Sequence, residues 1–106
     1  MKIAVLCDLH LPIIRTAAQY AVLDWAVQDL EKESPDFVMV AGDVTADGEL
    51  LPLRYFLEKI RKFPHVLLLG NSDIRDEFCR DRVMALAQLA TVFCGWLFIC
   101  FLQATR

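Results

Sequence analysis

The stretch LLLGNSD, Leu67 to Asp73, decides how the chain is read. An apolar run stops at a glycine, and three small polar residues follow at once. Taken alone it is a tight turn, because Gly supplies unusual backbone angles and Asn, Ser and Asp hydrogen-bond their own backbone. The reading changes because two other apolar runs end in the same way. IAVLC at residues 3–7 runs into Asp8-Leu9-His10, and FVMVA at residues 37–41 runs into Gly42-Asp43. These runs and VLLL at 66–69 have the length of strands and are apolar at successive positions, as buried parallel strands are.

Helical patterns fill the gaps. Between the first two runs, Ala18, Val22, Trp25 and Leu30 recur at roughly helical spacing, with acids such as Asp24, Asp29 and Glu31 on the wet side, and Ser34-Pro35 closes the helix. Between the second and third, Leu53, Phe56, Leu57 and Ile60 mark one face, Pro52 is tolerated in the first turn, and Phe63-Pro64 ends the pattern. Lys59, Arg61 and Lys62 suit the C-terminal end of that helix through its dipole. Thr45 or Asp47 is expected to cap its start. After Asp73, residues 74–90 predict a third helix with Phe78, Val83, Leu86 and Leu89 inward. The layout is β-α-β-α-β-α, which implies an α/β fold with parallel strands and right-handed crossovers.

A chain of 106 residues is enough for one domain. With 57% hydrophobic residues and a mean hydropathy of +0.41 it is too apolar for disorder. The net charge of −3 excludes general nucleic-acid affinity, which needs a basic patch. Cys7, Cys79, Cys94 and Cys100 form no C-x-x-C pair, so a structural zinc site is not expected. Met1 leads straight into Lys2 and IAVLC without a signal-peptide pattern, so a cytoplasmic protein with reduced, mostly buried thiols is expected.

In an open parallel sheet the strand C-termini lie along one edge, where ligands bind. Asp8, His10, Asp43 and Asn71 should therefore converge although they are far apart in sequence. In a locally extended segment, residues two apart point the same way, so Asp8 and His10 can grip one cation. The two oxygens of Asp43 can bridge two cations, Gly42 lets the backbone pass close by, and Asn71 offers an amide oxygen. Mixed oxygen and imidazole donors suit Mn, Fe, Zn or similar divalent metals. Two such ions lie roughly 3.5–4 Å apart in sites that hydrolyse phosphate esters.

Asp8-Leu9-His10, Gly42-Asp43 and Gly70-Asn71-Ser72-Asp73 resemble the first three motifs of the calcineurin-like metallophosphoesterases, D-x-H, G-D and G-N-x-[D/E], in order and in spacing. The resemblance covers roughly residues 1–90. It implies the N-terminal half of an α/β/β/α sandwich, and hydrolysis of a phosphomono- or diester by metal-bound hydroxide. By resemblance Asp8 and His10 hold a first ion, Asp43 bridges, and Asn71 holds a second, the ions being Mn, Fe, Zn, Ni or Mg. Asp43 and Asn71 are the implied catalytic ligands. Many members place a His after the Asn, oriented by the neighbouring acid; this chain has Ser72, as small bacterial phosphodiesterases of the superfamily also have a small residue there. Ser72 is no general acid near neutral pH, and Asp73, with no imidazole to orient, is expected to cap a helix. Ser72 and Arg75 are candidate contacts for a substrate phosphate, Arg75 being otherwise a solvated helix arginine.

The family completes its site with a lone His and a G-H-x-H motif from a second half. This chain has two histidines, His10 and His65. His65 begins the third strand and lies roughly 17–20 Å from Asn71 at about 3.3 Å per residue, so it reads as a solvent-facing turn residue. The alternative function is therefore a non-catalytic one: a truncated remnant that binds metal weakly, or a membrane-tethered or partner-binding protein. A three-stranded parallel sheet needs both faces covered, which three helices achieve imperfectly, so self-association is expected. Residues 91–106 form an apolar tail, and no charge occurs from Val83 to Thr105. The tail reads as a further strand, as part of a membrane helix over 83–102 about 30 Å long, or as a non-native end of a fragment.

Overall fold

The computed structural model describes residues 1–88. Strand β1 (Ile3–Leu6) leads to helix α1 (Ala18–Glu33), β2 (Phe37–Ala41), α2 (Leu50–Ile60) and β3 (His65–Leu68). A 3₁₀ turn follows at Ser72–Ile74, and residues 80–88 are again helical. The strands are parallel and stand in the order β1-β2-β3, in a register that aligns Leu6, Val40 and Leu67. The expected α/β order and three strands are present. The third helix starts at residue 80 rather than 74, because Ile74 closes a 3₁₀ turn and residues 75–79 form a further turn in which Phe78 N–H donates to Asp76 Oδ1 at 2.9 Å.

The helices end for local reasons. At the end of α1, Ser34 adopts a left-handed conformation and its N–H donates to the Leu30 carbonyl at 2.9 Å, while Pro35 forbids continuation. Pro52 lies in the first turn of α2, where its missing N–H costs nothing. α2 buries Pro52, Leu53, Phe56 and Ile60, close to the expected face. α1 is turned from its expected face: Tyr20, Leu23, Ala26 and Leu30 are buried, while Val22 and Trp25 are 53% and 65% exposed. Tyr20 explains the rotation. Its ring meets Tyr55 of α2 edge-on at 5.2 Å and its hydroxyl donates to the Pro12 carbonyl, so the large polar-tipped side chain takes the inner face. In the last helix Val83 and Ala87 are buried, Leu86 is half-buried, and Phe78, which precedes it, is exposed.

One core joins the inner sides of the helices to Val38, Val40 and Leu67 of the sheet, with Ala4 and Leu6 against it. Strands that step in one direction with crossovers of one hand receive every helix on one side. The opposite face carries Ile3, Val5, Met39 and Leu68, which are 49%, 59%, 37% and 53% exposed. Among the described residues the three helices thus pack on one face, and the other keeps these exposed side chains beside a buried Phe37, rather than both faces being shared imperfectly. Cys7 is exposed beyond the end of β1, contrary to the expectation of buried thiols, and Cys79 is half-buried. His65 is also corrected. It is 4% exposed at the start of β3, paired in register with Val38, and its Nδ1 lies 2.8 Å from the Phe63 carbonyl. Among the described residues no helix is long and apolar enough to cross a membrane. The readings of the apolar tail, Leu89 as an inner residue, and the boundary at 90–91 lie outside the described residues.

Candidate metal centre at the strand ends

Beyond their strands, the first two loops continue side by side. Asp8 N–H donates to the Gly42 carbonyl, His10 N–H to Asp43 and Leu11 N–H to Val44, at 3.3, 2.9 and 2.8 Å. Ala46 N–H returns to the Leu11 carbonyl at 2.9 Å. This backbone ladder brings Asp8 and His10 beside Asp43. Each of the three offers a ligand atom within 4.8 Å of the others, and His10 Nε2 lies 3.9 Å from Asp8 Oδ1.

The local reason differs from the expected one. Asp8 and His10 are not extended; they have φ of 57° and 50°, and Asp43 has 53°. Left-handed backbone costs an L-residue about 1–2 kcal/mol. Its concentration at these three positions is the kind of strain that folded structure holds at functional sites. The inter-loop ladder holds it here.

Asp43 is fixed from the third strand end. The Ser72 N–H and hydroxyl donate to its Oδ1 at 3.2 and 2.9 Å. These bonds, the backbone one first, hold the Asp43 carboxyl below the ordinary carboxylate range; partial burial opposes them, and the charges of His10 and Arg75 assist. Gly70 makes the approach possible, since a Cβ there would stand 2.1 Å from Asp43 Oδ1. Ser72 is 3% exposed, and its Oγ also lies 2.7 Å from the Thr45 carbonyl. It therefore faces inward, and its expected contact with a substrate phosphate is replaced by one with Asp43. Asn71 precedes it on the same turn and is exposed.

Asp73 does not cap a helix. It is fully buried and accepts hydrogen bonds from the two loops instead. Thr45 N–H and hydroxyl reach its Oδ1 at 2.8 and 2.9 Å, and Gly70 and Val44 N–H reach its Oδ2 at 2.9 and 3.3 Å. Neither Thr45 nor Asp47 caps α2, whose N-cap is Glu49; the Thr45 hydroxyl accepts from Gly48 N–H at 3.0 Å within its own turn. Asp47 stands 3.8 Å from the Arg75 guanidinium, which is exposed and 3.5 Å from the Ala46 carbonyl. In sequence Thr45, Ser72 and Asp73 were indistinguishable from turn formers.

The donor set is two carboxylates and one imidazole, a chemistry that fits a divalent cation of the Mn, Fe or Zn type. A family model described as calcineurin-like phosphoesterase matches residues 1–101. Over 89 residues the chain is 29% identical to a probable cyclic nucleotide phosphodiesterase of Xenorhabdus bovienii (strain SS-2004), which covers 74% of this chain and 36% of the relative. The chain thus spans little more than a third of the length of that curated relative.

Proposed function

The chain belongs to the calcineurin-like phosphoesterase family, and from this premise we propose that Asp8, His10, Asp43 and Asn71 hold divalent metal for the hydrolysis of a phosphodiester. The observation that carries the proposal is the meeting of Asp8, His10 and Asp43 within 4.8 Å from two separate strand ends. The family supports a divalent metal and a phosphoester substrate. The Xenorhabdus relative, by its name a phosphodiesterase, favours diesters over monoesters.

A bound divalent cation supplies Lewis acidity, lowering the pKa of water and neutralising phosphoryl oxygens. The protein's part is to place and charge the ligands. Asp43 is held in place by the Ser72 N–H and hydroxyl, which donate to its Oδ1. Asn71 offers a neutral oxygen. Arg75 is exposed beside the site, and its guanidinium, loosely held by Asp47, can turn to a substrate phosphate. Ser72 donates inward and gives no proton to a leaving group.

The test is hydrolysis of bis-p-nitrophenyl phosphate by the purified chain with added manganese, beside Asp43→Asn. Manganese-dependent turnover that disappears in the variant is the expected result. Equal manganese-dependent rates for the two proteins would refute the role of Asp43, and no turnover by either would leave the chain as a non-catalytic relative that keeps the ligands without the chemistry.

A further inference from the structure

Asp73 is a buried carboxylate with no ion pair among the described residues and no part in the metal set. It is fully buried, and four donors from two loops converge on it: Val44 N–H and Thr45 N–H and hydroxyl from the end of β2, and Gly70 N–H from the end of β3. Hydrogen bonds to an ionised group are about twice as strong as neutral ones, and here they compensate its removal from water. Such an arrangement is seldom the most stable choice, because well-packed apolar groups of the same volume often serve stability equally well. It does impose a unique geometry. Asp43 directly precedes the clamped Val44, and Asn71 directly follows the clamped Gly70.

We propose that Asp73 is a positioning residue that sets the separation of Asp43 and Asn71 by locking the β2 and β3 exit loops to one carboxylate. The inference rests on the reading of those two residues as metal ligands. Its action passes through backbone. Asp73 fixes amides on both loops, and the Ser72 hydroxyl, 2.7 Å from the Thr45 carbonyl and 2.9 Å from Asp43, reports that registration to the ligand itself. Without the clamp the β2 exit loop keeps its backbone ladder to the β1 exit loop, and the β2 and β3 exit loops are tied only through Ser72.

The experiment compares the full wild-type chain with Asp73→Asn, Thr45→Val and a core control, Ile60→Val. Asn at position 73 turns an NH2 toward donors that need an acceptor, and Val at 45 replaces the hydroxyl with a methyl group, which removes one donor to Asp73 and the acceptor of Gly48 N–H. Two quantities are read: amide hydrogen exchange of the metal-free proteins, and Mn2+ affinity by calorimetry. Asp73→Asn is expected to speed exchange at Val44, Thr45 and Gly70 at least tenfold while β1–β3 stay protected, and to weaken Mn2+ at least tenfold. Thr45→Val should show smaller changes of the same kind, and Ile60→Val should leave Mn2+ affinity unchanged. Faster exchange with unaltered Mn2+ affinity makes Asp73 merely structural and overturns the proposal, as does unaltered exchange. If Asp73→Asn does not fold, Thr45→Val decides by the same two readings. Failure of the wild type to bind Mn2+ overturns the metal reading and the positioning role together, whereas binding that neither variant disturbs overturns the positioning role alone.

Discussion

Ser72 shows how one side chain can be assigned the wrong partner by sequence and the right neighbourhood. Its position beside Asn71 suggested a substrate contact, yet its hydroxyl is turned inward to Asp43. Ser72→Ala removes that hydroxyl and leaves the backbone N–H in place. The Asp43 carboxyl should therefore rise part of the way toward its ordinary range, which a carboxyl-carbon NMR titration reads directly. The sign for stability follows from the depressed carboxyl. Its contribution is present above the unfolded carboxylate pKa and fades as pH falls through the lower folded value. Wild type and Ser72→Ala should thus differ in stability at neutral pH and converge on acidification below about pH 4. A difference that widens in acid would contradict this account. Gly70 teaches a related lesson: in sequence it reads as a turn glycine, but its need is room for Asp43 Oδ1, which a methyl group would occupy.

Among the elements, α1 is where periodicity misled and α2 is where it sufficed. The apolar set Ala18, Val22, Trp25 and Leu30 competes on α1 with Tyr20, Leu23, Ala26 and Leu30, and both fit a helix. Contact of Tyr20 with Tyr55 and Pro12, elements distant in sequence, selects the second. Leu23→Ala should therefore cost about 2–5 kcal/mol, the range for deletion of a buried leucine. Trp25→Ala should stay within about 0.5 kcal/mol, as surface substitutions do. Urea unfolding of the two variants checks the phase, and a larger loss for Trp25→Ala would restore the sequence-based one. On α2 only one apolar face exists, so Leu53, Phe56 and Ile60 were assigned from spacing alone. The strands were legible for the same reason, being short apolar runs bounded by Gly, Asp and Pro.

At the scale of the molecule, the single-sided cover of the sheet is the dominant feature. Ile3, Val5, Met39 and Leu68 form an exposed apolar surface on a chain that spans 36% of a relative's length. Exposed contiguous apolar surface on this scale favours association. Self-association is the expected behaviour in solution, with elution ahead of a 12.1 kDa monomer in size-exclusion chromatography. Val5→Lys, on the exposed face of an edge strand, should shift elution toward the monomer without lowering the melting temperature. A sharp monomer peak for the wild type would overturn the expectation.

The sequence by itself determined the element order, the family, and the approach of three strand ends carrying Asp8, His10, Asp43 and Asn71. Each of these follows from local pattern, because runs of apolar residues and their terminators act over a few residues and parallel topology then sorts the ends. Only the tertiary structure decided which face of α1 is buried, that His65 is enclosed, that one side of the sheet is exposed, and that Asp8, His10 and Asp43 are left-handed. It alone decided that Asp73 binds two loops together. Those outcomes depend on contacts between residues far apart in sequence, such as Tyr20 with Tyr55 and Val44 with Asp73, and a polar residue after a strand looks the same in sequence whether it meets water or a neighbouring loop.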